Sequence, residues 1–305
     1  MCKKIVFLGL MAWDLIGKGN SKIIIGDDID GIITEKPGGV ILNIALTFSK
    51  KFRKNKNFDL FMLSAIGKDK KSKKIIHNLK DNRVNVNYVE INKGESDKYI
   101  AIEGKEGLFA AIADTKKFRK NEEALLNKFY NGIFGNKEKP FEGYLIIDGN
   151  VSERTINKIS IDKEFDKTKI IVVPASSKKC LIFENLIKSR KCMIFLNLNE
   201  AKILCKDNQI SQTKAAKKLL SFGNKMIIIT NQSKKVHCLS EKGSFFIEPI
   251  NIGDELVTGL GDIFVSGFLV SYFKNKKNNI EEHLKNGMLL TSKYVKKVNI
   301  YEDNG

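Results

Sequence analysis

A chain of 305 residues can bury a large core, and its 42% hydrophobic content is ordinary for a globular protein. The formal net charge of +18 is not ordinary, but it lies largely in Lys/Asn-rich stretches such as 50–56 and 274–279, without interleaved aromatics or a nucleic-acid module. These stretches read as solvated surface with a general attraction for anionic ligands, not as a specific nucleic-acid site.

Taken in chain order, Lys3-Lys4 and the apolar run Ile5 to Trp13 superficially resemble a signal peptide, but the run is short, ends at Asp14 and lacks a small-residue cleavage pattern. A first buried strand over Ile5–Leu10 is the better reading. Ser21–Glu35 follows as an insert, with Ile23-Ile24-Ile25, a turn-rich Gly26-Asp27-Asp28 and Ile32-Ile33. Gly38-Gly39 opens a helix, Val40–Lys51, that carries Ile41, Ile44, Ala45 and Phe48 on one face. Further strands are expected at Asp59–Ala65, Tyr144–Ile147, Ile170–Val173, Met193–Leu196 and Met226–Thr230. Helices are expected at Lys70–Asp81, Glu153–Ile159, Lys178–Lys188 and Gln212–Phe222. Lys98–Ala113, turning at Glu103-Gly104-Lys105-Glu106-Gly107, is a β-hairpin signal.

Strand alternating with helix implies an α/β layered fold with a largely parallel sheet and ligands at the carboxyl ends of the strands. The two inserts suggest a small β-sheet standing apart as a lid, a dimerisation surface or both. No segment reaches transmembrane length. Cys2, Cys180, Cys192, Cys205 and Cys238 are scattered, as are His77, His237 and His283, so neither a disulfide framework nor a zinc site is indicated and a reducing cytoplasm is expected.

The most informative stretch is Val257-Thr258-Gly259-Leu260-Gly261-Asp262-Ile263-Phe264, followed by apolar sequence to Phe273. Two glycines at the start of a buried helix allow backbone N–H groups to converge on an anion. An acid there repels phosphate, yet suits taking a proton from a hydroxyl while the loop holds a transferring phosphoryl group. The alternative is a turn in which Asp262 caps the helix. Asp14, Asn43, Asp148 and Asn150 are expected at the same edge, where short polar side chains bind sugar hydroxyls or simply cap turns. Asn197 and Glu200 lie one helical turn apart, suited to a hydrated Mg²⁺ or to a capping box, and the two readings are compatible.

Four of these motifs together resemble the ribokinase-like, PfkB-type carbohydrate and nucleoside kinases over nearly the whole chain. They are Gly38-Gly39-x-x-x-Asn43-x-Ala45, Gly67-x-Asp69, Asn197-x-x-Glu200 and Thr258-Gly259-Leu260-Gly261-Asp262-x-Phe264-x-x-Gly267. The resemblance implies one three-layer α/β/α domain over residues 1–305, with a central mostly parallel sheet and a β-sheet lid from inserts at about 17–37 and 94–115. It implies ATP and Mg²⁺ as cofactors, with a monovalent cation as a further candidate. Asp262 would be the catalytic base, and the backbone of Gly259, Leu260 and Gly261 the anion hole. Asp14, Gly38, Gly39, Asn43 and Asn150 would hold the substrate. Asn197, Glu200, Thr230 and Thr258 would serve the nucleotide, Glu200 through Mg²⁺ and water. A homodimer through the lid is the expected assembly.

Within the family, three stretches are most similar to pseudouridine kinases: Tyr99-Ile100-Ala101 leading to Ala111-Ile112-Ala113-Asp114, Ile147-Asp148-Gly149-Asn150, and Val173-Pro174-Ala175-Ser176 with Lys178-Lys179. The expected reaction is therefore phosphorylation of the 5′-hydroxyl of pseudouridine. Ribose, adenosine or a catalytically weakened ligand-binding role are the alternatives. Four departures bear on that choice. Leu260 replaces the usual anion-hole alanine, Leu256 a usual Asn or Asp, and Ala12 an asparagine; Asn231-Gln232-Ser233 replaces a glycine-bearing turn.

Overall fold

The computed structural model describes residues 2–53, 55–249, 259–275 and 279–302. The first third runs β1 (Lys3–Leu8), β2 (Ala12–Gly19), β3 (Gly31–Gly38), α1 (Val40–Phe52), β4 (Phe58–Leu63), β5 (Ala65–Gly67), α2 (Lys70–Asp81), β6 (Val84–Asn85) and β7 (Glu90–Asn92). The middle adds β8 (Lys98–Gly104), β9 (Gly107–Ala113), α3 (Lys116–Leu126), β10 (Tyr144–Asp148), α4 (Glu153–Ile161), β11 (Lys169–Val173), α5 (Glu184–Ser189) and β12 (Cys192–Asn197). The chain closes with α6 (Leu198–Leu204), α7 (Gln212–Ser221), β13 (Met226–Asn231), β14 (Lys234–Ser240), β15 (Gly243–Ile247), α8 (Leu260–Lys274) and α9 (Ile280–Glu302).

A nine-stranded sheet, ordered β15-β14-β13-β12-β11-β10-β1-β4-β6, forms the middle layer. Its pairings are parallel from β6 to β13 and antiparallel only at β14 and β15. Side chains alternate across a strand, so each apolar run feeds two cores. Ile5, Phe7, Tyr144 and Ile146 pack with α1, α2, α8 and α9, whereas Val6, Leu8, Leu145 and Ile147 pack with α3 to α7. Burial on both faces explains why these strands read as continuous apolar runs. The α8 helix is apolar on nearly every side because it is enclosed, with Ile263 to Leu269 all buried.

A four-stranded sheet, ordered β3-β2-β8-β9, stands apart from the main one. Here β2 pairs antiparallel with β3 and parallel with β8. One row across it is Lys36–Asp14–Tyr99–Ala113 and the next is Glu35–Leu15–Ile100–Ile112, so the two rows face opposite sides.

Several sequence-based boundaries are corrected. The first strand stops at Leu8, and Asp14 lies inside β2 of the small sheet, not just past a strand of the main sheet. The small sheet thus begins at Ala12, ahead of the expected insert at 17, while Ile23 to Ile25 form no strand and Ile25 is solvent-exposed. Asp59–Ala65 divides between two sheets. At the division Ser64 Oγ donates to the Gly9 carbonyl (2.6 Å) and accepts from Met11 N–H (3.2 Å), binding the chain to the exit of β1. Lys178–Lys188 is a 3₁₀ turn over Cys180–Phe183 followed by the short α5.

Candidate active site

The carboxyl ends of β10 to β13 and the N-termini of α1 and α8 converge beneath the small sheet on a cavity of about 390 Å³. Strand carboxyl ends and helix N-termini are where an open α/β sheet offers polar backbone to a ligand.

Asp148, at the end of β10, builds the floor. It is fully buried, with one oxygen accepting from the amides of Leu10 and Ile41 (both 3.3 Å) and the other from the Asn150 amide (2.8 Å). The carboxylate occupies the space beside Gly9, where any Cβ would meet it at about 2.5 Å. It therefore ties β1, the first turn of α1 and the β10 turn together. This corrects its expected place among the hydroxyl binders: its acceptors face inward.

Gly39 enters α1 at φ 101°, and a Cβ there would come within 2.3 Å of the Leu10 carbonyl, so only glycine fits this turn. Gly38 lies against the Asp14 carboxyl group. One turn into α1, Asn43 Nδ2 donates to Asp262 Oδ2 (2.9 Å). Asp262 is not the helix cap: Gly259 caps α8 at φ 93°, and Asp262 is the third residue of the first turn, with its carboxyl group buried in the cavity wall. Leu260 and Gly261 open the helix, where backbone N–H groups lack an intrahelical acceptor. A Cβ at Gly261 would meet nothing within 4 Å, and the residue is solvent-exposed. Neither packing nor dihedral angle demands glycine there; an approaching ligand would. Thr258 and Leu256 lie outside the described residues.

Across the cavity, Asp14 is 7% exposed and its Oδ1 has no hydrogen-bond partner among the described residues. A buried acceptor left open on a cavity calls for a donor from the ligand. Asn150 also lines the cavity, but its amide is occupied, donating to Asp148 (3.1 Å) and accepting from Lys179 Nζ. Asn197 and Glu200 form the capping box of α6: Asn197 Oδ1 accepts from Glu200 N–H and Glu200 Oε2 from Asn197 N–H, both at 2.9 Å. Both still line the cavity, as does Thr230, whose hydroxyl donates to the Leu196 carbonyl (3.3 Å).

Lys36, Tyr99 and Lys179 complete the walls; of these Lys36 has no reading from sequence, while Tyr99 and Lys179 fall in the stretches similar to pseudouridine kinases. Register was the missing signal: only the pairing of β2 with β3 and β8 brings Lys36 and Tyr99 beside Asp14. The turn after β13 is made without glycine, Gln232 itself adopting φ 49°.

The cavity concentrates acids that burial keeps from ionising readily. Desolvation pushes Asp262 up to about 7, against the Asn43 hydrogen bond and aided by the charges of Asp148 and Asp14. Desolvation raises Glu200 to about 7, Asp14 to about 6 and Asp148 to about 6. Burial lowers the Lys179 ammonium, against the pull of Asp148. A carboxylate poised near neutrality can accept a proton in one step and return it in another.

Among the described residues, no three His, Cys, Asp or Glu side chains gather to hold a metal ion. Glu200 is the acidic side chain at the Asn197–Thr230 end of the cavity. The arrangement does not fit a metal held by the protein alone, but it fits Mg²⁺ carried mainly by phosphate oxygens and water, with Glu200 as outer partner.

Comparison with known proteins gives the class of molecule. The profile of the pfkB family of carbohydrate kinases matches residues 3–303. Solved structures with the same ribokinase-like fold include a ribokinase from Thermotoga maritima, with a TM-score of 0.73, 20% identity, and coverage of 95% of this chain and 91% of that one. A Methanocaldococcus jannaschii nucleoside kinase, an archaeal member of the ribokinase family, gives 0.72 and 18%, covering 96% and 92%. Arabidopsis thaliana ribokinase complexed with ribose and ATP gives 0.67 and 15%, covering 96% and 92%. No match was found among curated protein sequences. The chain belongs to the pfkB family of carbohydrate kinases and is a phosphotransferase of ribokinase-like fold.

Proposed function

We propose that this kinase transfers the γ-phosphoryl group of ATP to a hydroxyl of a sugar or nucleoside, with the 5′-hydroxyl of pseudouridine as the specific acceptor. The observation that carries the reading is Asp262, buried in the first turn of α8, held by Asn43 and raised to about 7 beside the Leu260 and Gly261 amides that open the helix. Its ionised carboxyl group takes the acceptor's proton as that oxygen bonds to the γ-phosphorus; the bond to the bridging oxygen breaks and ADP leaves with its electron pair. The amides of Gly259, Leu260 and Gly261 hold the charge spread over the transferring oxygens. Asp14 Oδ1 accepts a hydrogen bond from a substrate hydroxyl, which orients the acceptor. Asn197, Thr230 and Glu200 lie toward the nucleotide phosphates, where Mg²⁺, when bound, would neutralise β- and γ-oxygen charge. Closure of the small sheet as a lid would exclude water.

ATP as donor is supported by family membership and by the ATP bound to the Arabidopsis ribokinase. Support for pseudouridine comes from the three sequence stretches around Tyr99–Asp114, Asp148–Asn150 and Pro174–Lys179. The test is phosphate transfer from ATP across pseudouridine, uridine, adenosine, ribose and fructose 6-phosphate, with potassium and Mg²⁺ titrated in the same assay. Highest kcat/KM on pseudouridine is the expected result. Preference for another acceptor would replace the substrate, and ATP binding without turnover on any of them would replace the enzyme by a ligand-binding member. Gly261→Ala is expected to fold at least as stably as the parent, since alanine favours a helix by ~1 kcal/mol over glycine. Its turnover should fall at least ~10-fold as the methyl group enters the phosphoryl position.

The assembly proposed is a dimer through the outer face of the small sheet, where Ile33, Ile100, Ile102 and Ile112 are exposed, Ile33 to 77% and Ile112 to 70%. A contiguous apolar sheet face of this kind suits a second copy. Sedimentation should give a dimer that Ile112→Asp converts to monomer; a monomeric parent would end the idea. Among the described residues no helix is long and apolar enough to cross a membrane. Cys180, Cys192, Cys205 and Cys238 are buried free thiols, in keeping with a proposed reducing, cytoplasmic setting.

A further inference from the structure

The Gly67-x-Asp69 motif lines no part of the cavity, yet its geometry is unusually constrained. Asp69 caps α2, its Oδ1 accepting from Ser72 N–H (2.6 Å), and its Oδ2 accepts from Ser96 N–H (2.6 Å), across 27 residues of chain. Gly67 N–H donates to Ser96 Oγ (3.3 Å), and a Cβ on Gly67 would lie 2.3 Å from the backbone of Glu95 and Ser96. Lys68 N–H adds a bond to the Gly94 carbonyl (2.8 Å). Both motif residues therefore grip the segment 94–96, immediately before β8.

The next residue carries the grip onward. The Asp97 carbonyl accepts from Trp13 N–H (2.9 Å), where β2 begins, and the Asp97 carboxylate accepts from Lys117 and Phe118 N–H (3.0 and 2.9 Å) at the start of α3. Ser96 and Asp97 are both buried. One joint at 96–97 thus fixes where β2 and β8 both enter the small sheet and where α3 resumes the main layer. Trp13 precedes Asp14 directly.

We propose that Asp69 is a positioning residue for the phosphotransfer reaction: by holding Ser96 it fixes the joint that sets Asp14 over the cavity. The inference rests on the reading of Asp14 as a substrate-binding residue. Asparagine at 69 would keep one acceptor oxygen but turn an NH₂ group toward the second amide, so the cap or the joint must give way. The control is Ser72→Ala, which removes the reciprocal half of the capping box, where Ser72 Oγ accepts from Asp69 N–H (3.1 Å), and leaves the Ser96 bond intact.

The experiment measures steady-state kinetics, thermal stability and the emission of Trp13, the chain's one tryptophan, in the full-length parent and both variants. For Asp69→Asn, the acceptor KM should rise ~10-fold or more with kcat and ATP KM within ~3-fold, the signature of lost acceptor binding without lost chemistry. Its Trp13 emission should shift, while Ser72→Ala loses stability with acceptor KM and emission unchanged. Equal acceptor KM and equal emission in the two variants would overturn the proposal. Ser96→Ala, which removes the bond from Gly67 and the hydroxyl's contact with Asp69 but keeps the Ser96 N–H bond, should give a smaller change of the same kind and serves if Asp69→Asn does not fold. Should the parent turn over no acceptor, the kinase reading fails, and Trp13 emission alone then decides for or against the joint.

Discussion

Asp262→Asn is expected to lower kcat by about 10²–10⁴-fold, the usual contribution of a positioned general base. It should also make the protein more stable in alkaline buffer. Desolvation raises the Asp262 carboxyl group from 3.8 to about 7 in the folded state. Its favourable contribution is complete below the unfolded value, near 4, and is lost as pH rises through about 7. Removing the buried charge should therefore add about 2–4 kcal/mol at pH 8–9 and less than half as much at pH 5. Denaturant unfolding at the two pH values checks the sign. The parent's kcat/KM should show an acidic limb with an apparent pKa near 7. A parent-like rate in Asp262→Asn, or equal stability gains at both pH values, would remove Asp262 from the role of buried base.

Asp148→Ala should be the most damaging single change to stability. Truncation leaves the amides of Leu10, Ile41 and Asn150 without their acceptor in a site closed to solvent, and opens a void beside Gly9. The expected loss is ~3–5 kcal/mol, from unsatisfied donors and lost packing together. Asp148→Asn keeps one acceptor oxygen and should fall between alanine and the parent. Urea midpoints measure both. Because Lys179 and Asn150 are built on the same carboxylate, Asp148→Asn should also raise acceptor KM while leaving the ATP KM nearly unchanged.

How far the sequence disclosed this molecule depended on the range of the interactions involved. The α2 boundaries, Lys70–Asp81, follow directly from local periodicity, and the Lys98–Ala113 hairpin from its turn residues. The Asn197–Glu200 pair was legible as a capping box because both partners lie within one turn. Asp14 was found by motif but misplaced, since apolar continuity from Ile5 to Trp13 conceals the break at Gly9, which exists to admit the Asp148 carboxylate from 139 positions away. Asp148 stayed open between a ligand residue and a turn residue because nothing local reveals that its partners include the backbone amides of Leu10, just past β1, and Ile41 in α1. Lys36 could not be read at all, and Tyr99 only as part of a hairpin: strand register, not spacing, brings them beside Asp14.

The enclosure of α8 has a consequence for how the protein is made. Phe268 packs on Phe195, Phe273 on Phe48, and Ser266 reaches the Ile44 carbonyl, so this late segment seals a core laid down by the first fifty residues. During synthesis, everything through β15 emerges before that seal, leaving one apolar face of the main sheet open to solvent. Contacts of such sequence separation form slowly and leave partly folded chains prone to association. Emerging chains should therefore depend on chaperones until α8 and α9 clear the ribosome. The same step delivers Asp262, so no incomplete chain can carry a finished catalytic site.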